Sequence, residues 1–294
     1  MPTPAESTFF ESTSDALRVA TYRWSTSVEP PRGVVQIAHG VAEHAARYAR
    51  LAGALTSAGY EVYAHDHRGH GASVDANTPL GDFGRGAWPA LVADIVQFGR
   101  VIQSEHPDLK LFLLAHSMGS FAAQELLLEN SDLYDGVVLS GSTALDVLAT
   151  SLAEANGGGP VELTAFNAAF ENRTGYEWLS RDAVEVDAYV ADPLSGFGLA
   201  DSTVPQLFSG AERLADPIAL GGIRSDLPLL VISGQDDPLA GEGALVSLLA
   251  ERYTDAGVTD VELRLYAQAR HEIFNETNRD EITAFVVAWL HAHS

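Results

Sequence analysis

The chain has 294 residues, of which 46% are hydrophobic, so it is long enough and apolar enough to build a sizeable buried core. Its 17 lysines and arginines stand against 40 aspartates and glutamates, and the formal net charge is −23 at pH 7. Such a surface repels polyphosphate and anionic bilayers, which argues against nucleic acid as a partner and against a stable electrostatic membrane anchor. We also expect no stable membrane insertion. There are no cysteines, so disulfides, thiol catalysis and cysteine-bound metal are excluded.

The sequence carries no pattern of a targeting or membrane-spanning segment. The first residues, Met1-Pro2-Thr3-Pro4-Ala5-Glu6, have neither a basic region nor an apolar core. No run approaches the roughly 20 apolar residues that would span a bilayer. We therefore expect a cytoplasmic protein, and no pattern indicates its oligomeric state.

Strand and helix patterns alternate along the first half of the chain. They predict an antiparallel hairpin from Phe9 to Trp24 with its turn near Ser14-Asp15, a buried strand at 33–38, a helix at 43–58, a strand at 61–66, a helix carrying Trp88, Leu91, Val92, Ile95, Phe98 and Ile102, a strand at 111–114, a helix at 121–128 and a strand at 136–139. This alternation predicts an α/β fold, a mostly parallel sheet with helices on both faces.

The alternation stops between about Leu145 and Ile223. The intervening segment contains a predicted break, Ala155-Asn156-Gly157-Gly158-Gly159-Pro160. It also contains seven large aromatic residues: Phe166, Phe170, Tyr176, Trp178, Tyr189, Phe197 and Phe208. We expect a cap over the carboxyl edge of the sheet, where ligands bind in open α/β folds, with a purely structural subdomain as the alternative.

The strand and helix patterns resume after Pro228. Strands are predicted at 227–233 and 261–266, and an amphipathic C-terminal helix carries Ile282, Phe285, Val286, Trp289 and Leu290. The predicted organisation is a core built from residues 1–144 and 225–294, with a cap inserted at 145–224.

A candidate nucleophile, Ser117, stands where a buried strand meets a helix. The strand at 111–114 continues into Ala115-His116-Ser117-Met118-Gly119-Ser120. A serine on such a sharp turn has a strained backbone, and the residues two before and two after it must be small because strand and helix crowd there. Ala115 and Gly119 meet that demand, although Ala115 is one methyl larger than the usual glycine.

A nucleophilic serine needs a base that an acid orients. Among ten histidines, His271 is the one on the loop expected after the last strand. Asp236 and Asp237 follow the preceding strand, and the spacing Gly-x-x-Asp-Pro at 234–238 favours Asp237. The chain order serine, acid, histidine is that of the α/β-hydrolase triad.

Acyl transfer also requires donors for the oxyanion of the tetrahedral intermediate. In the α/β-hydrolase fold these are the backbone N–H after the nucleophile and one from the loop after the third strand, which indicates Met118 and Val41. Such a mechanism uses no cofactor.

The loop from Asp66 to Ser73 concentrates histidines near a strand end. By residue type, His65, His67 and His70 could hold a metal, but their spacing is not that of a zinc-binding helix. We interpret the glycine-rich loop as structural, with Arg68 paired to a nearby carboxylate, and predict no metal site.

Several motifs together resemble one group of enzymes. They are His39-Gly40-Val41-Ala42-Glu43-His44, Asp66-His67-Arg68-Gly69-His70-Gly71-Ala72-Ser73, the turn at Ser117, and Arg270-His271-Glu272, joined by Trp178-Leu179-Ser180-Arg181-Asp182, Asp192-Pro193-Leu194 and Asn275-Glu276-Thr277-Asn278-Arg279. The chain resembles, over nearly its whole length, the monoacylglycerol lipase and lysophospholipase group of α/β-hydrolases, often labelled serine aminopeptidase-like. The resemblance implies a triad of Ser117, Asp237 and His271, with Val41 and Met118 as the oxyanion hole.

The sequence thus predicts a serine carboxylic-ester hydrolase that works through an acyl-enzyme on a small monoacyl ester, such as a monoacylglycerol, a lysophospholipid or another alkyl or aryl monoester. An aminopeptidase or amidase of the same fold is one alternative; it would need carboxylates for a substrate ammonium group, and Glu162, Glu171 and Glu177 are available. A non-catalytic ligand-binding relative is another, which the intact triad disfavours. Epoxide hydrolases and haloalkane dehalogenases use aspartate in place of the serine.

Overall fold

A computed structural model describes residues 6–156 and 162–294, and the strands among them form one eight-stranded sheet in the order β1-β2-β4-β3-β5-β6-β7-β8. The strands are β1 (Glu6–Glu11), β2 (Arg18–Trp24), β3 (Gly33–Ala38), β4 (Tyr60–His65), β5 (Leu111–His116), β6 (Gly136–Ser140), β7 (Leu229–Gly234) and β8 (Val261–Tyr266). β2 pairs antiparallel with β1 and β4, and every other pair is parallel. The predicted hairpin and mostly parallel sheet are confirmed.

Helices cover both faces of the sheet. They are α1 (Ala49–Ser57), α2 (Ala87–Glu105), α3 (Met118–Asn130), α4 (Leu145–Asn156), α5 (Ala183–Ala191), α6 (Thr203–Leu207), α7 (Pro217–Leu220), α8 (Ala244–Asp255) and α9 (Arg279–His293). Successive side chains of a strand point to opposite faces, so β5 sends Phe112 and Leu114 into the core beneath α1 and α9. Leu111, Leu113 and Ala115 enter the core beneath α2, α3 and α8.

The predicted start of the helix at 43–58 is wrong. A 3-10 turn at Ala45–Tyr48 precedes α1, and His44 has an extended backbone with φ −153° and ψ 162°. The Glu43 carboxylate instead accepts the backbone N–H of Gly40 at 2.5 Å. Glu43 and His44 therefore precede the helical turns. The other predicted elements lie within three residues of the observed bounds.

The β6–β7 segment, residues 145–224, replaces the strand and helix alternation with α4 to α7. Its described part packs over the edge where the parallel strands end, since the backbone carbonyls of Trp178 and Leu179 accept two N–H groups from the loop after β8, at 3.3 and 2.7 Å. Residues 157–160 of the predicted break lie outside the described residues.

Arg68, in the loop that was interpreted as structural, is fully buried. Its Nε lies 3.0 Å from Asp94 Oδ2 on α2, and its Nη1 lies 2.9 Å from Asp15 Oδ2 in the hairpin turn. The guanidinium therefore joins the N-terminal hairpin to α2 through two carboxylates. This is the pairing expected for Arg68.

Candidate active site

Ser117 occupies the turn between β5 and α3, with a backbone φ of 50° and ψ of −122°, a region that residues with a side chain rarely adopt. Its N–H donates to the carbonyl of Ser140 on β6 at 2.9 Å. Its carbonyl accepts the N–H groups of Ser120 at 2.7 Å and Phe121 at 3.0 Å. The strand ladder on one side and the first turn of α3 on the other thus hold the strained residue in place.

Of positions 115 and 119, which flank Ser117, only position 119 requires glycine. A Cβ on Gly119 would lie 2.4 Å from the carbonyl oxygen of Ala38 and 2.6 Å from that of His39, so no larger residue fits. Ala115 lies fully buried in β5 among apolar side chains, where its methyl group is accommodated. The departure from the usual glycine at 115 therefore leaves the turn intact.

Side chains from three strand ends meet at this turn. His271, in the loop after β8, has Nδ1 2.8 Å from Asp237 Oδ2 and Nε2 2.8 Å from Ser117 Oγ. Asp237 follows β7, and its Oδ1 accepts the N–H of Leu239 at 2.9 Å. With Nδ1–H donating to the carboxylate, the Nε2 lone pair faces the serine hydroxyl. Asp236 is exposed, so the structure brings Asp237 and not its neighbour to the histidine.

His271 and the neighbouring His116 have pKa values that are shifted in opposite directions. Burial works to lower the pKa of His271, but the charge and hydrogen bond of Asp237 outweigh it and raise that pKa above the ordinary 6.5. The His116 ring centroid lies 4.8 Å from that of His271, and burial, assisted by the charge of His271, lowers the pKa of His116 to about 4. At neutral pH His116 is therefore uncharged, and His271 is the more basic of the two.

Val41 and Met118, the predicted oxyanion donors, border the same apolar cavity as Ser117. Within the part of the chain that the structure describes, neither backbone N–H donates to a protein acceptor. A Cβ on Gly40 would lie 3.1 Å from the Ser117 Cβ, so the loop after β3 passes directly against the serine. Two backbone donors therefore remain available to an oxygen bound beside the hydroxyl.

The cavity beside Ser117 has a volume of about 50 Å³ and is lined almost entirely by apolar side chains. Through Leu163, Leu199, Val204 and Phe208 it adjoins a wider, more open cavity of about 780 Å³. All four residues that the two cavities share belong to the β6–β7 segment.

The seven aromatic residues of the β6–β7 segment divide between cavity and packing. Phe166, Trp178 and Phe208 line the cavity at Ser117, and Tyr176, Phe197 and Phe208 line the wider one. Phe170 instead packs beneath the Arg270 guanidinium, 4.4 Å from its ring centroid. Tyr189 is buried and donates its hydroxyl to the carbonyl of Ala42 at 3.0 Å, and its ring also borders a smaller cavity beside Ser117 and His271.

A buried ionic network behind the site was missed by sequence reasoning. Arg47 Nη1 lies 2.6 Å from Glu43 Oε2 and 2.6 Å from Glu272 Oε1, and its Nη2 lies 2.8 Å from Glu272 Oε2. Burial works to raise the pKa of Glu43, but the charge of Arg47, together with neighbouring histidines and the hydrogen bond from the Tyr48 hydroxyl, lowers the pKa to about 2. The network joins the loop of Gly40 to the residue after His271. Its one sequence signal is the four-residue spacing of Glu43 and Arg47.

The three carboxylates considered for a substrate ammonium group occupy different places. Glu177 accepts the N–H and hydroxyl of Thr174 at 2.8 and 2.7 Å and the N–H of Gly175 at 3.1 Å. Although burial works to raise it, these hydrogen bonds lower the pKa of Glu177 to about 2. Glu171 is exposed, and Glu162 lines the wider cavity. Of the three, Glu162 alone lines one of the two cavities.

Between residues 6 and 156 and from 162 onward, no three histidine or carboxylate side chains are arranged to hold a metal ion. None of the helices described is both long and apolar enough to cross a bilayer.

Comparison with known proteins places the chain among hydrolases. The sequence matches the family described as serine aminopeptidase, S33, over residues 29–278. A monoacylglycerol lipase of Mycolicibacterium smegmatis is 32% identical over 289 residues, which cover 94% of each chain. A human monoglyceride lipase is 30% identical over 257 residues, covering 84% of this chain and 77% of the relative. The crystal structure of a thermostable carboxyl esterase from Bacillus coagulans in complex with glycerol has a TM-score of 0.85 at 24% identity and covers 99% of both chains.

The sheet, its flanking helices and these relatives define a serine hydrolase of the α/β-hydrolase fold. The chain belongs to the serine aminopeptidase S33 family.

The geometry predicts that the two neighbouring aspartates differ sharply in importance. Asp237→Asn should lower kcat by on the order of 10⁴, because the imidazole loses both its tautomer and its stabilising charge. Asp236→Asn, at an exposed position, is the matched control and should stay close to the wild-type value. Steady-state hydrolysis of a p-nitrophenyl ester measures both, and the opposite ranking would show that the wrong neighbour is assigned.

The pH dependence of kcat/KM should have an acid limb above pH 6.5, because His271 must be neutral to accept a proton and its pKa is raised. Glu272 contributes to that raising, so Glu272→Gln should move the limb to lower pH. Glu281→Gln, which changes an exposed carboxylate on α9, should leave it in place. A limb that does not move with Glu272→Gln would argue against His271 as the titrating base.

Proposed function

We propose that the protein hydrolyses carboxylic monoesters through an acyl-enzyme on Ser117. The serine Oγ attacks the ester carbonyl carbon while His271 Nε2 takes its proton, and Asp237 stabilises the resulting imidazolium. The N–H groups of Val41 and Met118 stabilise the oxyanion. The observation that carries the proposal is the pair of 2.8 Å contacts that His271 makes with Ser117 and Asp237.

The second half of the reaction uses the same groups in reverse. Collapse of the tetrahedral intermediate breaks the ester C–O bond, and His271 returns its proton to the leaving alcohol. Water then enters, gives its proton to His271 and attacks the acyl carbon, so that the carboxylic acid leaves and Ser117 regains its hydrogen. The balance is one ester and one water to one acid and one alcohol, with no cofactor.

The proposed substrate is a monoacyl ester with an apolar tail, such as a monoacylglycerol. Two observations support this choice. The cavity at Ser117 is lined by aromatic and aliphatic side chains, and the relatives from Mycolicibacterium smegmatis and human are named as lipases of monoacylglycerols. The hydrocarbon tail would lie against Phe166, Trp178 and Phe208.

In this proposal residues 145–224 act as a cap on a core formed by 1–144 and 225–294. The support is that side chains of the β6–β7 segment line both cavities. The cytoplasmic location expected from the sequence stays a prediction.

A substrate panel tests the proposed reaction. The purified protein should hydrolyse monoacylglycerols faster than triacylglycerols or an aminoacyl p-nitroanilide, with a lysophospholipid as a further comparison. A fluorophosphonate should label it once, at Ser117, and Ser117→Ala should lose both labelling and turnover. Preference for the aminoacyl substrate would favour the aminopeptidase alternative, and labelling that survives Ser117→Ala would refute the nucleophile.

Acyl-chain length should distinguish the cavity from mere packing. Each methylene that the cavity buries should contribute up to about 0.8 kcal/mol, or roughly fourfold in kcat/KM, until the cavity is filled. Phe208→Ala should flatten this rise because its ring lines both cavities. Phe170→Ala removes the same ring from the same segment, at a position packed on Arg270, and should leave the slope unchanged. If kcat/KM rises equally with chain length in the wild type and in Phe208→Ala, the acyl tail does not bind against Phe208.

A further inference from the structure

The histidines of the Asp66–Ser73 loop and its surroundings form a buried cluster outside the triad, with no part in the proton transfers of the proposed reaction. The ring centroid of His67 lies 4.2 Å from that of His39 and 4.6 Å from that of His65, and the His39 and His70 centroids are 5.3 Å apart. Burial lowers the pKa of His39 to about 4 and those of His65 and His70 to about 3. The cluster is therefore neutral at the pH of catalysis.

Backbone partners assign the tautomer of His39. The N–H of His67 can only donate, and it lies 2.9 Å from His39 Nε2, so this nitrogen accepts. The proton of the neutral ring is then on Nδ1, which donates to the carbonyl of Gly40 at 2.7 Å. Both ring nitrogens of His39 are thus occupied by backbone groups.

The same reasoning assigns His70. The N–H of Ala42 lies 3.1 Å from His70 Nε2, which must accept it. The proton is therefore on Nδ1 and is donated to the carbonyl of Arg68 at 3.0 Å. A third ring, His67, donates from Nε2 to the carbonyl of His39 at 3.1 Å.

These contacts act on the two peptide units that flank Val41. The carbonyl of Gly40 and the N–H of Val41 belong to one trans peptide, in which they point in opposite directions. Holding the Gly40 oxygen toward His39 therefore sets the direction of the Val41 N–H. Ala42 has φ +53°, a conformation that favours glycine. The hydrogen bond from its N–H to His70 Nε2 stabilises this conformation.

We propose that His39 and His70 are positioning residues whose neutral rings aim the Val41 N–H at the oxyanion. The proposal rests on the proposed function, in which Val41 is an oxyanion donor. Both ring nitrogens of His39 and of His70 are bonded to backbone groups, so neither ring has a nitrogen free to bind a metal ion.

Asparagine and glutamine substitutions separate the two ring nitrogens. An asparagine amide can replace the Nδ1 donor, whereas a glutamine carbonyl reaches the position of the Nε2 acceptor. The essential contact is at Nδ1 in His39 and at Nε2 in His70. We therefore expect His39→Asn and His70→Gln to retain kcat within about threefold, and His39→Gln and His70→Asn to lose about tenfold or more, since loss of a whole oxyanion donor costs about 10²–10³.

The measurement is kcat and KM for p-nitrophenyl butyrate together with the melting temperature of each variant. The proposal requires a loss in kcat at similar KM, and a trifluoromethyl ketone should weaken as an inhibitor of the two impaired variants in parallel. If the larger glutamine is better tolerated at both positions, and kcat follows the melting temperature, the histidines serve packing alone and the proposal fails.

A second measurement needs no variant. ¹⁵N-histidine NMR of the wild-type protein should show His39 and His70 neutral and protonated at Nδ1, and His67 neutral and protonated at Nε2. Protonation of His39 or His70 at Nε2 would overturn the proposal. Failure of the proposed function would be recognised separately. If Ser117→Ala still hydrolyses the butyrate ester, Ser117 is not the nucleophile. If the wild-type protein hydrolyses the butyrate ester but not a monoacylglycerol, the proposed substrate is wrong, and the test of the histidines remains valid.

Discussion

The site depends on one residue held in a backbone conformation that a free chain avoids. A residue such as Ser117, at φ 50° and ψ −122°, carries a conformational cost on the order of 1–3 kcal/mol. The hydrogen bond to Ser140 in the neighbouring strand and the first turn of α3 offset that cost. The same tight turn brings Gly119 against the end of β3 and so places the loop of Val41 beside the hydroxyl. The proposed nucleophile and the proposed oxyanion donors are consequently positioned by a single packing arrangement.

Much of this arrangement could be read from the sequence, because it depends on local patterns and on chain order. Apolar runs identified the parallel strands, and β8 was predicted with its observed bounds. The small residues on either side of Ser117 are enough to indicate the sharp turn. Parallel strands deliver their following loops to one edge, so the order of Ser117, Asp237 and His271 was enough to bring them together, as the distances now show.

Other features depend on contacts between distant parts of the chain, which periodicity does not record. Arg47 and Glu272 are separated by 225 residues, and only the folded chain shows that they pair. Which aromatic rings line the cavity depends on the path of an irregular segment, so Phe170 and Phe208 could not be told apart. The histidine loop was ambiguous for a different reason. Residue type shows that an imidazole has two nitrogens, but not that backbone groups already occupy them.

The contacts of the β6–β7 segment bear on how such enzymes can be altered. Trp178 and Leu179 accept the backbone N–H groups of His271 and Glu272. Tyr189 donates to Ala42, next to Val41. The β6–β7 segment is therefore hydrogen-bonded to the loops of the site and cannot be exchanged independently of them. Grafting a foreign segment to broaden the substrate range would also release the loops that carry the proposed base, His271, and the proposed oxyanion donor, Val41. The residues that set substrate selectivity and those that set turnover are therefore structurally linked. A segment exchange can change selectivity without loss of turnover if it preserves these few backbone contacts.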